Sequence, residues 1–204
     1  MELKPPKRIK ARVQKTKQVF VHNDLSQAAT YFADIIGEKQ KKGSRDAIMF
    51  DGMACGMMIA FAFEAKLNFM GLELAKSGKL PDWNEWQSYT KKLNKVFAAL
   101  GIPVELEKRP LKSMQKMKEL RDTLAHGKPV TEEYDQIEVG THEELNRGAE
   151  LIAGWEKDCT SDSVFEALAD LDDLWKLMIE KSGLELWDTI TRGEGAITFI
   201  EHVE

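Results

Sequence analysis

The stretch that decides the fold is SRDAIMFDGMACGMMIAFAFEAKLNFMGLELAK, residues 44–76. It holds no proline over roughly 30 positions and its middle is apolar on every side, so it predicts one long helix that is buried all round. Gly52 and Gly56 form a GxxxG spacing, which predicts close approach of a neighbouring helix. The uninterrupted apolar run, residues 53–63, is shorter than the ~18 residues of a membrane span, so we expect no membrane partner.

Two polar side chains interrupt this apolar stretch. Glu64 and Asn68 lie one helical turn apart. Because buried polar groups must be paired, they either tie helices together or face a cleft, and both interpretations stay open.

The flanking sequence is helical in pattern. A first amphipathic helix is predicted from Leu25, with Gly43 able to stop it, a third from Trp83 to Leu100, and a fourth from Pro110 to a stop at Gly127. Further helices are predicted at about residues 142–157 and 161–181. Residues 17–22 and 196–202 are rich in Val, Ile, Thr and Phe and predict a small antiparallel ribbon.

The predicted fold class is therefore all-α, a four-helix bundle with two additional C-terminal helices and a small β ribbon from the termini. We expect a basic N-terminal arm over residues 1–22 and the bundle over 23–130. An acidic helical extension over 131–204 is expected to pack on the bundle, giving a single domain overall.

Composition narrows the class of protein. The 204 residues are 43% hydrophobic and 31% charged, which excludes a disordered or collagen-like chain. Cys55 and Cys159 lack any CxxC or Cys/His spacing, so neither a disulfide scaffold nor a zinc module is indicated. No signal peptide is visible, and a reducing, cytoplasmic location is expected.

Charge is distributed unevenly along the chain. Residues 1–19 carry seven Lys/Arg against one Glu, a net of +6, whereas residues 129–204 carry five basic and twenty acidic residues, a net of −15. A second basic island, residues 108–128, holds seven Lys/Arg against Glu119 and Asp122. Such islands are either solvated helix faces or local sites for a polyanion.

Most familiar catalytic motifs are missing. The sequence contains no GxxxxGK[ST], GxGxxG, GxSxG or HExxH, so phosphate loops, dinucleotide folds, nucleophile elbows and zinc proteases are unsupported. We expect no metal and no cofactor.

The segment LRDTLAHGKP, residues 120–129, contains the residues that remain as candidates for a catalytic or binding site. Asp122 and His126 are four residues apart, so they share a helix face and the carboxylate can accept a hydrogen bond from the imidazole. Arg121 adds a planar cation suited to phosphate, and the candidate phosphate-binding lysines nearby are Lys112, Lys116, Lys118 and Lys128. A histidine before glycine at a helix end also satisfies the helix dipole without any function.

The Arg-polar-x3-His motif at Arg121, Asp122 and His126, ending the last bundle helix of an all-helical chain, resembles the HEPN superfamily (higher-eukaryote and prokaryote nucleotide-binding domains). The resemblance spans roughly residues 25–130 and implies a four-helix bundle that often dimerises, with the two motifs facing a shared cleft. For many members it implies metal-independent RNA cleavage in toxin–antitoxin or antiviral systems, whereas other members only bind or scaffold.

The resemblance leaves three functions open: an endoribonuclease in which Arg121, Asp122 and His126 are catalytic, a module that binds RNA, a nucleotide or a protein, and a structural helical dimer. RNA or a nucleotide, a second copy of the chain and an antitoxin are the expected partners. Toxins silenced by a nucleotidyltransferase carry a tyrosine two positions after the motif histidine. Lys128 stands there instead, which argues against that particular pairing.

Overall fold

The computed structural model describes residues 8–146 and 152–203 and is mainly helical. The helices are α1 (Val21–Lys41), α2 (Ile48–Lys76), α3 (Tyr89–Leu100), α4 (Leu111–His126), α5 (His142–Asn146) and α6 (Ser161–Ser182). Two 3₁₀ turns cover Gly154–Cys159 and Leu186–Thr189, and two strands, β1 (Arg8–Gln18) and β2 (Arg192–Val203), form one antiparallel sheet. The mainly helical class and the terminal ribbon are therefore confirmed.

The chain divides into two compact units. Residues 21–184 form the helical unit, and residues 1–20 with 185–204 form the other, of which the structure describes residues 8–20 and 185–203. The sequence predicted an arm over residues 1–22, a bundle over 23–130 and an extension over 131–204 that packs on the bundle. In the structure, contacts place α6 in the same unit as α1 to α4.

Helix α2 is the centre of the helical unit and contacts α1, α3, α4 and α6. Its glycines explain how the neighbours come so close. A Cβ on Gly52 would lie 1.9 Å from the carbonyl oxygen of Cys159, and one on Gly56 would lie 2.6 Å from Cδ2 of Leu120 on α4. The close approach predicted from GxxxG is thus confirmed.

Helix α2 is not buried all round, contrary to the prediction. Phe50 is 60% exposed and Phe61 is 37% exposed, and Met57 between them is half-buried. These three positions share one side of the helix because seven and eleven residues are close to whole numbers of turns. The prediction failed because the sequence shows that a side is apolar but does not show whether a neighbour covers it.

By length and composition alone α2 would be able to cross a membrane. The core helix of a soluble protein meets the same criterion. Among the described residues 39% of the apolar window is buried, and Ile59, Leu67 and Met70 are fully buried. One such helix is weak evidence for a membrane span.

The buried carboxylate of Asp170 on α6 forms hydrogen bonds that hold this helix against the bundle. Asp170 accepts hydrogen bonds from Arg109 Nε at 2.9 Å and Nη2 at 2.8 Å, and from the hydroxyl of Ser113 on α4. Paired in this way, the carboxylate is tolerated among the apolar residues of α6, such as Leu171 and Leu174.

Several predicted boundaries differ from those in the structure. The third helix begins at Tyr89 rather than Trp83, since the Trp83 ring packs against Gly71 and the Asn84 side chain accepts a hydrogen bond from the backbone N–H of Trp86. A helix was predicted at 142–157. The described helix covers only His142–Asn146, and residues 147–151 lie outside the described part of the chain. After Ala153, whose backbone is extended, the chain enters a separate 3₁₀ turn.

The ribbon also begins earlier than predicted. Arg8 pairs with Val203 and Gln18 with Arg192, with one irregularity between Lys10 and Ala11. Residues 21 and 22 belong to α1 instead, because the His22 ring is buried between Phe69 and Trp175, with centroid distances of 4.7 and 5.0 Å.

Candidate functional site

Helix α4 presents the predicted motif at its C-terminal end. Leu111, Met114, Met117 and Leu120 are buried against the rest of the helical unit and fix the rotation of the helix. Gly127 adopts a left-handed conformation, φ 52°, and its N–H donates to the carbonyl of Thr123 at 3.0 Å. A glycine in this conformation ends a helix, so Arg121 to His126 form the last turns of α4.

The Arg121 guanidinium is held on two sides. Its Nη1 donates to Oε2 of Glu64 on α2 at 2.6 Å, and its Nε and Nη2 donate to Oδ1 of Asp122 at 3.0 and 2.8 Å. The side chain is 17% exposed, and its Cζ lies 5.9 Å from the centroid of the Phe61 ring. Burial alone would lower the pKa of Arg121, but the carboxylates of Asp122 and Glu64 outweigh it and raise the pKa.

Glu64 joins three helices. Besides Arg121 on α4, it accepts a hydrogen bond at 3.1 Å from Lys92 on α3, whose side chain is buried. Burial opposes the ionisation of Glu64, yet the bonds from Arg121 and Lys92 prevail and hold its pKa below the usual value. Of the two interpretations of Glu64, the tie between helices is the one that the contacts support.

Asn68 does not belong to this network. Its Oδ1 is buried, and the described residues offer it no hydrogen-bond partner.

Asp122 does not hold His126, although the spacing predicted that hydrogen bond. Its Oδ1 accepts from Arg121 and its Oδ2 accepts from Lys118, one turn earlier, at 2.6 Å. These two cations also explain why the pKa of Asp122 is lowered despite the opposing effect of burial. The prediction failed because two cations, Arg121 and Lys118, lie within reach of the carboxylate and bond to both of its oxygens.

His126 is the last residue of α4 and is exposed. It makes no hydrogen bond or ion pair within the part of the chain that the structure describes. At 100° per residue, five positions separate Arg121 and His126 by about 140° around the helix axis. Within one chain, the two side chains therefore start from different sides of α4.

The four candidate lysines do not form one patch. Lys118 pairs with Asp122, and its Nζ lies 5.8 Å from the centroid of the Tyr89 ring at the start of α3. Lys116 acts electrostatically on Asp158 in the 3₁₀ turn, whose pKa burial raises and Lys116 lowers. Lys112 and Lys128 are exposed at opposite ends of α4.

Lys92 is the member of the network that sequence reasoning missed. It lies next to Leu93 and one turn before Val96 on the apolar side of α3, and it is buried there. A lysine inside an apolar helical pattern is the signal that could have found it, because a buried cation requires a carboxylate partner.

Within residues 8–146 and 152–203 no cluster of three or more His, Cys, Asp or Glu side chains is arranged to hold a metal ion.

Comparison with known proteins yields no relative for this chain: no family model matches it, and neither a curated protein nor a solved structure shows significant similarity to it.

Proposed function

We propose that this protein is a HEPN-like, metal-independent endoribonuclease that acts on RNA as a homodimer. The observation that carries the proposal is the end of α4, where a guanidinium fixed by Glu64 and Asp122 occurs five residues before the exposed His126, which pairs with none of the described residues. In cleavage by an internal 2′-hydroxyl, a fixed cation can stabilise the charge on the phosphate and a solvent-accessible imidazole can transfer a proton.

In this mechanism His126 of one copy removes the 2′-hydroxyl proton, and His126 of the second copy protonates the leaving 5′-oxygen. Arg121 stabilises the charge on the phosphate as it becomes pentacoordinate. The reaction breaks the P–O5′ bond, forms the P–O2′ bond and leaves a 2′,3′-cyclic phosphate and a 5′-hydroxyl, so it needs no metal. Asp122 positions Arg121 rather than His126, since its carboxylate bonds to the guanidinium.

A second copy of the chain is part of the proposal for two reasons. In a dimer whose two motifs face a shared cleft, the second copy supplies another Arg121 and His126 for the opposite proton transfer. The exposed side of α2 with Phe50, Met57 and Phe61 ends beside Arg121, whose Cζ is 5.9 Å from the Phe61 ring. An exposed apolar surface of this kind supports self-association. The proposed setting is a cytoplasmic toxin–antitoxin or defence system.

One observation favours a second candidate function, a non-catalytic module that binds RNA, a nucleotide or a protein. Nε, Nη1 and Nη2 of Arg121 all donate to carboxylates. A guanidinium engaged in this way has fewer donors left for a phosphate, and it stabilises the helical unit whether or not RNA is bound.

The test is incubation of structured RNA with the wild type, Arg121→Ala, His126→Ala and the control His142→Ala, in EDTA. We expect cyclic phosphate ends from the wild type and the control, and loss of cleavage in the other two. Cleavage that survives His126→Ala, or that needs magnesium, contradicts the nuclease. RNA binding without cleavage, weakened by Arg121→Ala and spared by His126→Ala, supports the binding module instead.

Mixing the wild type with an excess of His126→Ala tests the shared cleft. If one cleft uses His126 of both copies, a mixed dimer lacks one of the two proton-transfer groups, and activity falls more steeply than the share of wild-type chains. If each chain acts alone, activity falls in proportion to that share.

A further inference from the structure

A cavity of about 410 Å³ lies between α1, α2 and α6, separate from the α4 site. Ser26 and Thr30 of α1, Lys66 of α2, and Phe165, Leu168 and Asp172 of α6 line it. The volume falls in the range of small-molecule sites, which enclose a mostly apolar ligand and fix it with a few polar groups.

Lys66 is the unusual member of the lining. It is 5% exposed, and its Nζ lies 4.3 Å from the centroid of the Trp175 ring. It forms no hydrogen bond or ion pair with any residue that the structure describes. Lys92 is equally buried, but its ammonium donates a hydrogen bond to the carboxylate of Glu64. Lys66 has no such bond to a carboxylate among the described residues.

The described residues around Lys66 do not balance the charge of its ammonium. Burial lowers the pKa of Lys66 to about 8, and the nearby Asp172 opposes that shift only in part. Asp172 itself forms an ion pair with the exposed Lys176 at 2.6 Å. The ammonium lies over the Trp175 ring but makes no ion pair with a described carboxylate, and an anion entering the cavity would supply that partner.

The other polar groups of the lining indicate which anion fits. The hydroxyl of Ser26 donates to the carbonyl of His22 at 2.8 Å, and that of Thr30 donates to the carbonyl of Ser26 at 3.1 Å. Both hydroxyl protons are therefore used within α1. One cation beside an apolar wall of Phe165 and Leu168 suits a single carboxylate on an apolar body, whereas a phosphate requires several donors.

We propose that this cavity binds a small organic carboxylate, with the carboxylate paired to the Lys66 ammonium and the apolar body against Phe165 and Leu168 of α6. The site is independent of RNA cleavage, because it uses none of the residues of the α4 network.

The first test is calorimetric titration at pH 7 with hexanoate and benzoate, each compared with its alcohol, 1-hexanol and benzyl alcohol. We expect each carboxylate to bind saturably, one molecule per chain. Its affinity should be roughly tenfold higher than that of the matching alcohol, because the alcohol cannot form the charged hydrogen bond with Lys66. Lys66→Met should weaken carboxylate binding about tenfold and leave alcohol binding unchanged, while the control Lys181→Met on α6 should behave as the wild type.

The proposal is overturned if neither carboxylate saturates the wild type, if the alcohols bind as tightly, or if Lys66→Met binds carboxylate normally. Saturation by inorganic phosphate alone also overturns it. If Lys66→Met does not fold, acetylation of the wild type answers the question. Hexanoate, but not hexanol, should slow the modification of Lys66 by N-hydroxysuccinimide acetate, read by mass spectrometry, and equal rates would contradict the site.

Discussion

Glu64 on α2 and Arg121 on α4 are joined by a contact of 2.6 Å between Oε2 and Nη1, 57 positions apart in the sequence. The same carboxylate accepts a hydrogen bond from the buried Lys92 of α3. One side chain thus sets both the spacing of three helices and the position of the guanidinium.

Replacing Glu64 tests this role. We expect Glu64→Gln to lower the free energy of unfolding by about 2 kcal/mol, because Lys92 keeps its charge in a buried position without a carboxylate. Urea unfolding measures the change. Glu73→Gln, which removes a carboxylate paired with the more exposed Lys76, is the control and should cost less than about 1 kcal/mol. Equal losses in the two variants would contradict a special role for Glu64.

The same carboxylate predicts a pH dependence. The pKa of Glu64 is lowered in the folded protein, because the hydrogen bonds from Arg121 and Lys92 outweigh burial. Its contribution to stability is therefore present above the unfolded pKa, about 4.3, and is lost as the pH falls through the lower folded value. The difference in unfolding free energy between wild type and Glu64→Gln should shrink from pH 6 towards pH 3. A constant difference would rule out this linkage.

Lys66 predicts a second rise of stability with pH, in an alkaline range. Its folded pKa of about 8 lies below the unfolded value, so the unfolded chain binds more protons between the two. Wild-type stability relative to Lys66→Met should thus rise from pH 8 to pH 10, by up to about 3 kcal/mol. Cys55 and Cys159, whose pKa values burial raises to about 12 and about 11, oppose this trend but are common to both chains and cancel.

Three glycines predict graded effects of alanine. Gly52→Ala should cost about 3 kcal/mol or more, because its Cβ would overlap the backbone carbonyl of Cys159. Gly56→Ala should cost less, since the flexible end of the Leu120 side chain can move. Gly37→Ala, with open space around its Cβ on α1, should stabilise the protein by about 0.5 kcal/mol. Thermal unfolding ranks the three, and a reversed order of Gly52 and Gly56 would contradict the packing.

The exposed side of α2 predicts self-association. Phe50→Glu should shift a dimer towards monomer in sedimentation experiments while leaving the unfolding free energy of the monomer nearly unchanged, because Phe50 is already exposed. Trp86→Glu is the control, since Trp86 is an exposed aromatic residue in the loop before α3. A wild type that is monomeric at high concentration would remove the dimer from the proposed function.

The sequence predicted those features that depend on neighbours in the chain. The existence of α2, the end of α4 at Gly127 and the close approach at Gly56 follow from apolar periodicity and glycine geometry, which act over a few residues. The strand β1 was misplaced because His22 is held by Phe69 and Trp175, residues far away in sequence.

The candidate site was predictable as a segment but not as a set of contacts. Spacing alone allowed Asp122 to bond His126, whereas the folded chain brings Arg121 and Lys118 to that carboxylate. The partner of Arg121 across the bundle, Glu64, was visible only as a polar exception in an apolar helix. Competition among several cations for one carboxylate depends on the rotation of α4, which its buried leucines and methionines determine.

The terminal ribbon has a consequence for synthesis on the ribosome. Lys10 and Glu201, paired across the two strands at 2.8 Å, are separated by 191 positions. During translation β1 leaves the ribosome long before β2 has been synthesised. The backbone N–H and C=O groups of β1 that pair with β2 in the folded protein therefore lack that partner while the helical unit is made. An unpaired strand can recruit the wrong partner. The five Lys and Arg side chains of β1, with no acidic residue among them, carry like charge, which disfavours pairing between two copies of this strand.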